Sequence, residues 1–263
     1  MEEFTNIRTT NNINPRNPSV ESLVADPQKH VKENRIAPES FDRYIEGQRL
    51  ARQTIVDMLD EARTGSEQFT FGRYEEYLKT AHYQALEGVS GELHYRDDVT
   101  PGEYRKSFYY SKFPPEIVSE IRTKYETQEH DLIRVRGFYS RLFKRDATGY
   151  TADSGAHTYP TKGYINRYIQ KSYEVLQEFA KLPQNAPVAD VVDKVAEYYQ
   201  ILDIAHPFEA ANQSLAMNIA NAMLETQGVQ GIPHGVLDIA AATLSHEDFT
   251  NYLIDELKSN ILP

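Results

Sequence analysis

From Ser40 onward, apolar residues recur at helical spacing. Ile45, Leu50, Ile55, Met58, Leu59 and Ala62 advance by one to five residues and make one stripe, which "TGSE" (64–67) ends. Thr70 then stands as an N-cap for "FGRYEEYLKTAHYQALEG", closed by Gly88. Residues 88–113 are turn-rich. Pro114 and Pro115 open a helix through "EIVSEIRTKYETQEHDLIRVRGFYSRLF", interrupted near Gly137, and 146–163 reads as a loop or short hairpin. Three helices follow, over about 163–181, 188–204 and 212–227. Gly228 is a natural residue to end the third, and Ser245 with Asp248 forms a capping box for a last helix.

With so few alternating runs, the pattern predicts an all-α bundle with room for one small β-hairpin. Residues 1–36 differ. They are rich in Asn, Thr, Pro and charge, bury too little to offset the entropy of ordering, and read as a flexible arm ahead of a helical domain over 37–263.

Composition narrows the function classes. The net charge of -11 on 263 residues disfavours a nucleic-acid partner or an anionic membrane surface. The absence of cysteine excludes thiolate catalysis, disulfides and Cys-based zinc sites, and the eight histidines show no paired ligand spacing, so no protein-built metal site is expected. No run approaches the ~18 apolar residues of a membrane span. "MEEFTNIRTTNNINPRNP" lacks the apolar segment of a signal peptide, which points to a cytoplasmic protein or one secreted without a cleaved signal.

The chemistry concentrates in "AHPFEAANQSLAMN" (205–218), a turn between two predicted helices. A helix N-terminus exposes unpaired N–H groups and the positive end of its dipole, and a histidine beside it can take a proton while the helix end holds developing negative charge. This stretch resembles the signature of the Fic (Fido) family, H-P-F-x-[D/E]-G-N-G-R-x-x-R. "YIEGQRLARQTIVDML" (44–59) resembles the family's inhibitory helix, expected over 37–63. "PGEYR" (101–105) resembles a segment that follows a family helix containing a histidine, here His82. The family's substrate-docking flap would fall within 149–162.

The resemblance implies a Fic-like bundle in which His206 is the general base for a hydroxyl acceptor on a protein or small molecule. Pro207 and Phe208 would be structural, with Phe208 the core anchor. Asn212 would orient the loop or a phosphate oxygen; Gln213, Ser214 and Glu209 would line the donor site, and His157 and Tyr159 the flap. Several motif positions depart from the family. The acidic metal-binding position is Ala210, the glycines are Ala211 and Gln213, and the arginines are Ser214 and Met217. These changes remove the carboxylate that would hold Mg²⁺ and the charged, bidentate phosphate ligands. A nucleotide or nucleotide-like donor would therefore bind with little dependence on Mg²⁺. Glu46 occupies the inhibitory position with no arginine to block. It is either a relic or a carboxylate recruited beside His206. Two functions follow: a Fic-type transferase with altered donor chemistry, or an inactive Fic-fold binding or regulatory protein.

Overall fold

The computed structural model describes residues 13–20, 23, 38–87, 89, 99–106, 110–125, 149–151 and 156–261. A 3₁₀ turn (Pro38–Ser40) leads into helix α1 (Phe41–Arg63), and α2 (Phe71–Leu86) follows. Strand β1 (Tyr110–Lys112) and α3 (Pro115–Tyr125) come next, then β2 (Gly149–Thr151) and β3 (Ala156–Thr158). The rest is helical: α4 (Lys162–Ala180), α5 (Val188–Ala205), α6 (Asn212–Thr226), α7 (Leu237–Thr243) and α8 (His246–Ile261). The fold is all-α, with a small antiparallel sheet as an outlying feature.

Most expected boundaries hold for local reasons. The Thr70 hydroxyl accepts the Arg73 N–H and caps α2. The Ser245 hydroxyl accepts the Asp248 N–H and donates to its carboxylate, so Ser245 caps α8 as expected. Gly228 takes φ +74 just past α6, a conformation that strains a side chain even where space is open. Two elements depart from expectation. Helix α7 is too short to show a stripe, and β1 turns the hairpin into a three-stranded sheet of order β1-β3-β2. In the register, His157 of β3 pairs with Ser111 of β1 and with Tyr150 of β2. Gly88 and the expected continuation of α3 through Gly137, with the basic stretch 133–145, lie outside the described residues.

Helices α5 and α6 form the centre of the core. On α5, Val191, Val192, Val195, Tyr198, Tyr199 and Ile201 are all buried, packed by α4, α7 and α8 around it. Helix α6 is buried on every side, which its small residues allow. Its polar groups are paired: Asn221 bonds both main-chain groups of Ile232, and Asn218 and Glu225 meet Arg52 of α1.

Helix α1 is part of this core. Arg52 is fully buried and its ion pair with Glu225 spans 2.8 Å. At Gly47, α1 crosses α2 so closely that a Cβ would stand 2.5 Å from the Gln84 carbonyl oxygen. From the N-terminal segment, Arg16 pairs with Asp57 and Asp60 on α1, and Leu23 is buried against Tyr44, Ile45, Leu86, Val89 and Ala210. No helix among the described residues is long and apolar enough to cross a membrane.

Candidate functional site

Helix α5 ends at His206, whose backbone is left-handed (φ 40, ψ 58), with its N–H on the Leu202 carbonyl at 3.0 Å. A left-handed residue ends many helices, but the position favours glycine because a Cβ costs about 1–2 kcal/mol there. Pro207 then prevents the helix from continuing. Arg105 holds the strained corner. Its Nε donates to the His206 carbonyl at 2.6 Å, its Nη2 to the Pro160 carbonyl, and its main-chain N–H to the Pro207 carbonyl at 2.8 Å. A guanidinium at the carboxyl end of α5 also meets the negative end of that helix dipole. The neighbouring Tyr104 forms an antiparallel bridge with Phe208, so "PGEYR" runs along the motif turn.

Phe208 is fully buried, as expected of the anchor, and lies under His82 of α2. The Gly102 N–H donates to His82 Nδ1 at 2.8 Å, which makes Nδ1 the acceptor and leaves the ring proton on Nε2. Nε2 in turn donates to the Ala210 carbonyl at 3.1 Å. Burial then lowers the His82 pKa to about 4, against a smaller opposing effect of the Ala210 bond. His82 is a neutral structural joint.

The other motif positions are committed in the same way. The Asn212 amide closes on Phe208 twice, accepting its N–H and donating to its carbonyl, each at 2.8 Å. These bonds brace the loop, one of the two roles the resemblance implies for Asn212. Gln213 donates to Asp238 of α7. Ser214 shares a hydrogen bond with the Tyr44 hydroxyl at 3.3 Å. Glu209 accepts the Lys106 N–H at 2.8 Å. Ala210 sits in the apolar cluster of Leu23, Tyr44 and Ile45, and Met217 is in the main core.

His206 itself is 6% exposed. Its ring stacks on Tyr159 at 4.0 Å and 30°, Tyr159 meets His157 edge-on at 4.7 Å, and His157 stacks on Phe113 at 5.5 Å. The structure thus brings His206, Tyr159 and His157 together, in one buried aromatic row rather than on an open loop.

Glu46 does not join them. Its side chain is 62% exposed and its ion pair is with Arg49, 3.6 Å away on the same helix. Of the two readings of Glu46, a relic or a carboxylate recruited beside His206, helix geometry favours the first. Tyr44 and Glu46 lie about 200° apart around α1, so when Tyr44 turns inward to Ser214, Glu46 turns outward.

Sequence reasoning missed Arg105 as the clamp and Tyr44 as the residue that reaches the motif helix. The quoted "PGEYR" carried Arg105, but nothing in its spacing tells which carbonyls a buried guanidinium will bridge. No group of three or more His, Asp or Glu among the described residues is placed to hold a metal ion. No protein-family model matches the chain, and no curated protein matches it.

Proposed function

We propose that this chain is a Fic-like protein whose motif turn has become a structural joint, and that it acts by binding or regulating a partner rather than by transferring a group. The observation that carries this reading is the setting of Ala210. Where the family signature calls for a carboxylate to hold Mg²⁺ against a diphosphate, this chain packs a methyl group among Leu23, Tyr44, Ile45 and Leu86. A hydrated cation and a diphosphate do not fit an apolar cluster, because neither regains there the oxygen ligands it loses on leaving water.

The engaged side chains of Asn212, Gln213 and Ser214 favour the same reading over altered transfer chemistry, since each would have to surrender a hydrogen bond to receive a donor. Calorimetric titration with ATP, with and without Mg²⁺, tests it. The expected result is no saturable binding in the micromolar range. Micromolar binding that disappears with EDTA overturns it.

A further inference from the structure

Behind the motif turn, toward α7, polar side chains converge with hydrogen-bonding capacity that the described residues do not meet. Asp203 stands one turn before His206 on α5, 2% exposed, and neither carboxyl oxygen has a hydrogen-bond partner. Tyr199, one turn earlier, is fully buried with its hydroxyl unbonded. His234, in the segment between α6 and α7, is buried with neither ring nitrogen hydrogen-bonded, and its Nε2 stands 3.9 Å from Asp238 Oδ1 on α7. Asp238 receives the Gln213 amide. Asp203 and Tyr199 both lie within electrostatic range of Asp238 and of each other. Buried groups in this condition are rare in folded proteins, because nothing replaces the hydrogen bonds they lose on leaving water.

The inventory of the group decides what fits. Once Asp203 gives up its proton, two carboxylates, a phenol oxygen and an imidazole ring nitrogen accept, while the phenol O–H and one imidazole N–H donate. Acceptors and negative charge are in excess, so a matching ligand supplies N–H donors and positive charge. A chelated metal ion needs a tighter set of His, Asp and Glu than the described residues present. An ammonium group, with three donors on a compact centre, bridges more widely spaced acceptors. We propose that Asp203, Asp238, Tyr199 and His234 form a binding site for a small primary amine, taken up as its ammonium ion. Pro233 and Gly235, on either side of His234, are exposed, so the site lies one residue beneath the surface at this segment.

The site stands independently of the reading of the motif turn. Without a cation, burial and the nearby Asp238 raise the Asp203 pKa well above its ordinary value, which favours the protonated acid. Uptake of an ammonium ion therefore exchanges with a proton, which leaves to the buffer. Affinity rises with pH, by up to about tenfold per unit while Asp203 remains protonated in the free protein.

The test is calorimetric titration of the full chain with methylammonium chloride and putrescine dihydrochloride, at pH 6 and pH 8, against potassium chloride at equal ionic strength. Two buffers of different ionisation enthalpy report the released proton. The expected result is saturable amine binding, tighter at pH 8, with proton release and a loss of at least about tenfold in both Asp203→Asn and Tyr199→Phe. The second variant removes a single hydroxyl and keeps the test alive if the first folds poorly. Equal responses to amine and potassium overturn the proposal, as does amine binding unchanged in both variants. A site that exchanges protons alone, with no saturable amine heat, also overturns it.

Discussion

The imidazole of His82 lies flat on the ring of Phe208, 3.9 Å between centroids and 6° between planes. With Nδ1 accepting from Gly102 and Nε2 donating to Ala210, this one side chain joins α2, the "PGEYR" segment and the motif turn. The turn is thus fixed from below by a group that has to stay neutral.

That neutrality has a pH signature. The His82 pKa falls from 6.5 to about 4 in the folded protein, so below pH 6.5 the unfolded chain binds a proton that the folded chain refuses. Its stabilising effect is complete above pH 6.5 and is lost as pH falls toward 4, by roughly 3 kcal/mol. Urea denaturation at pH 7, 5.5 and 4 should show wild type losing more stability than His82→Gln over that window. Parallel losses in the two proteins would contradict the assignment.

Arg52 and Glu225 make the second prediction. Burial lowers the Arg52 pKa and raises that of Glu225, each against the pull of its partner, so both charges are held at a cost. Removing one leaves the other stranded. Arg52→Met should destabilise by about 3–5 kcal/mol, and adding Glu225→Gln should recover a large part of it. Urea midpoints of the three variants measure this. A near-neutral Arg52→Met would mean that α1 contributes little to the core.

Along α1, the order of sensitivity should follow burial, with Tyr44 and Gly47 inside and Glu46 exposed. Glu46→Ala should change stability by less than about 0.5 kcal/mol, as an exposed substitution does. Tyr44→Ala should cost about 3–5 kcal/mol as a large buried ring is lost, and Gly47→Ala about 1–3 kcal/mol as a methyl group is forced against α2. Thermal melts of the three variants give the ranking. A Glu46→Ala cost equal to that of Tyr44→Ala would return Glu46 to the interior.

The sequence made the helices legible where a cap or a stripe was local, as at Thr70, Gly228 and Ser245. It made the motif turn legible as a turn, through His-Pro-Phe, and Phe208 legible as its anchor. What it hid depends on partners far away in the chain. Asn212 bonds Phe208, four residues off, but Ser214 bonds Tyr44 across 170 residues and Arg52 bonds Glu225 across 173. Periodicity over α1 could not tell whether Tyr44 or Glu46 faces inward. That choice is made by the approach of α1 to α2 at Gly47. The left-handed backbone at His206 was equally hidden, because the arginine that bonds its carbonyl, Arg105, stands 101 residues away in the chain.

The central claim is that His206 is a packed member of the joint and not a general base, and a transfer assay on the histidine tests it most directly. Wild type and His206→Ala would be incubated with ATP, other nucleoside triphosphates, CDP-choline and nucleotide sugars, with Mg²⁺ and with hydroxyl-bearing protein acceptors, and the products weighed by mass spectrometry. The account predicts identical spectra with no added mass on chain or acceptor. A mass increment in wild type that falls ~10²–10⁴-fold in His206→Ala, the usual cost of a lost general base, would contradict it.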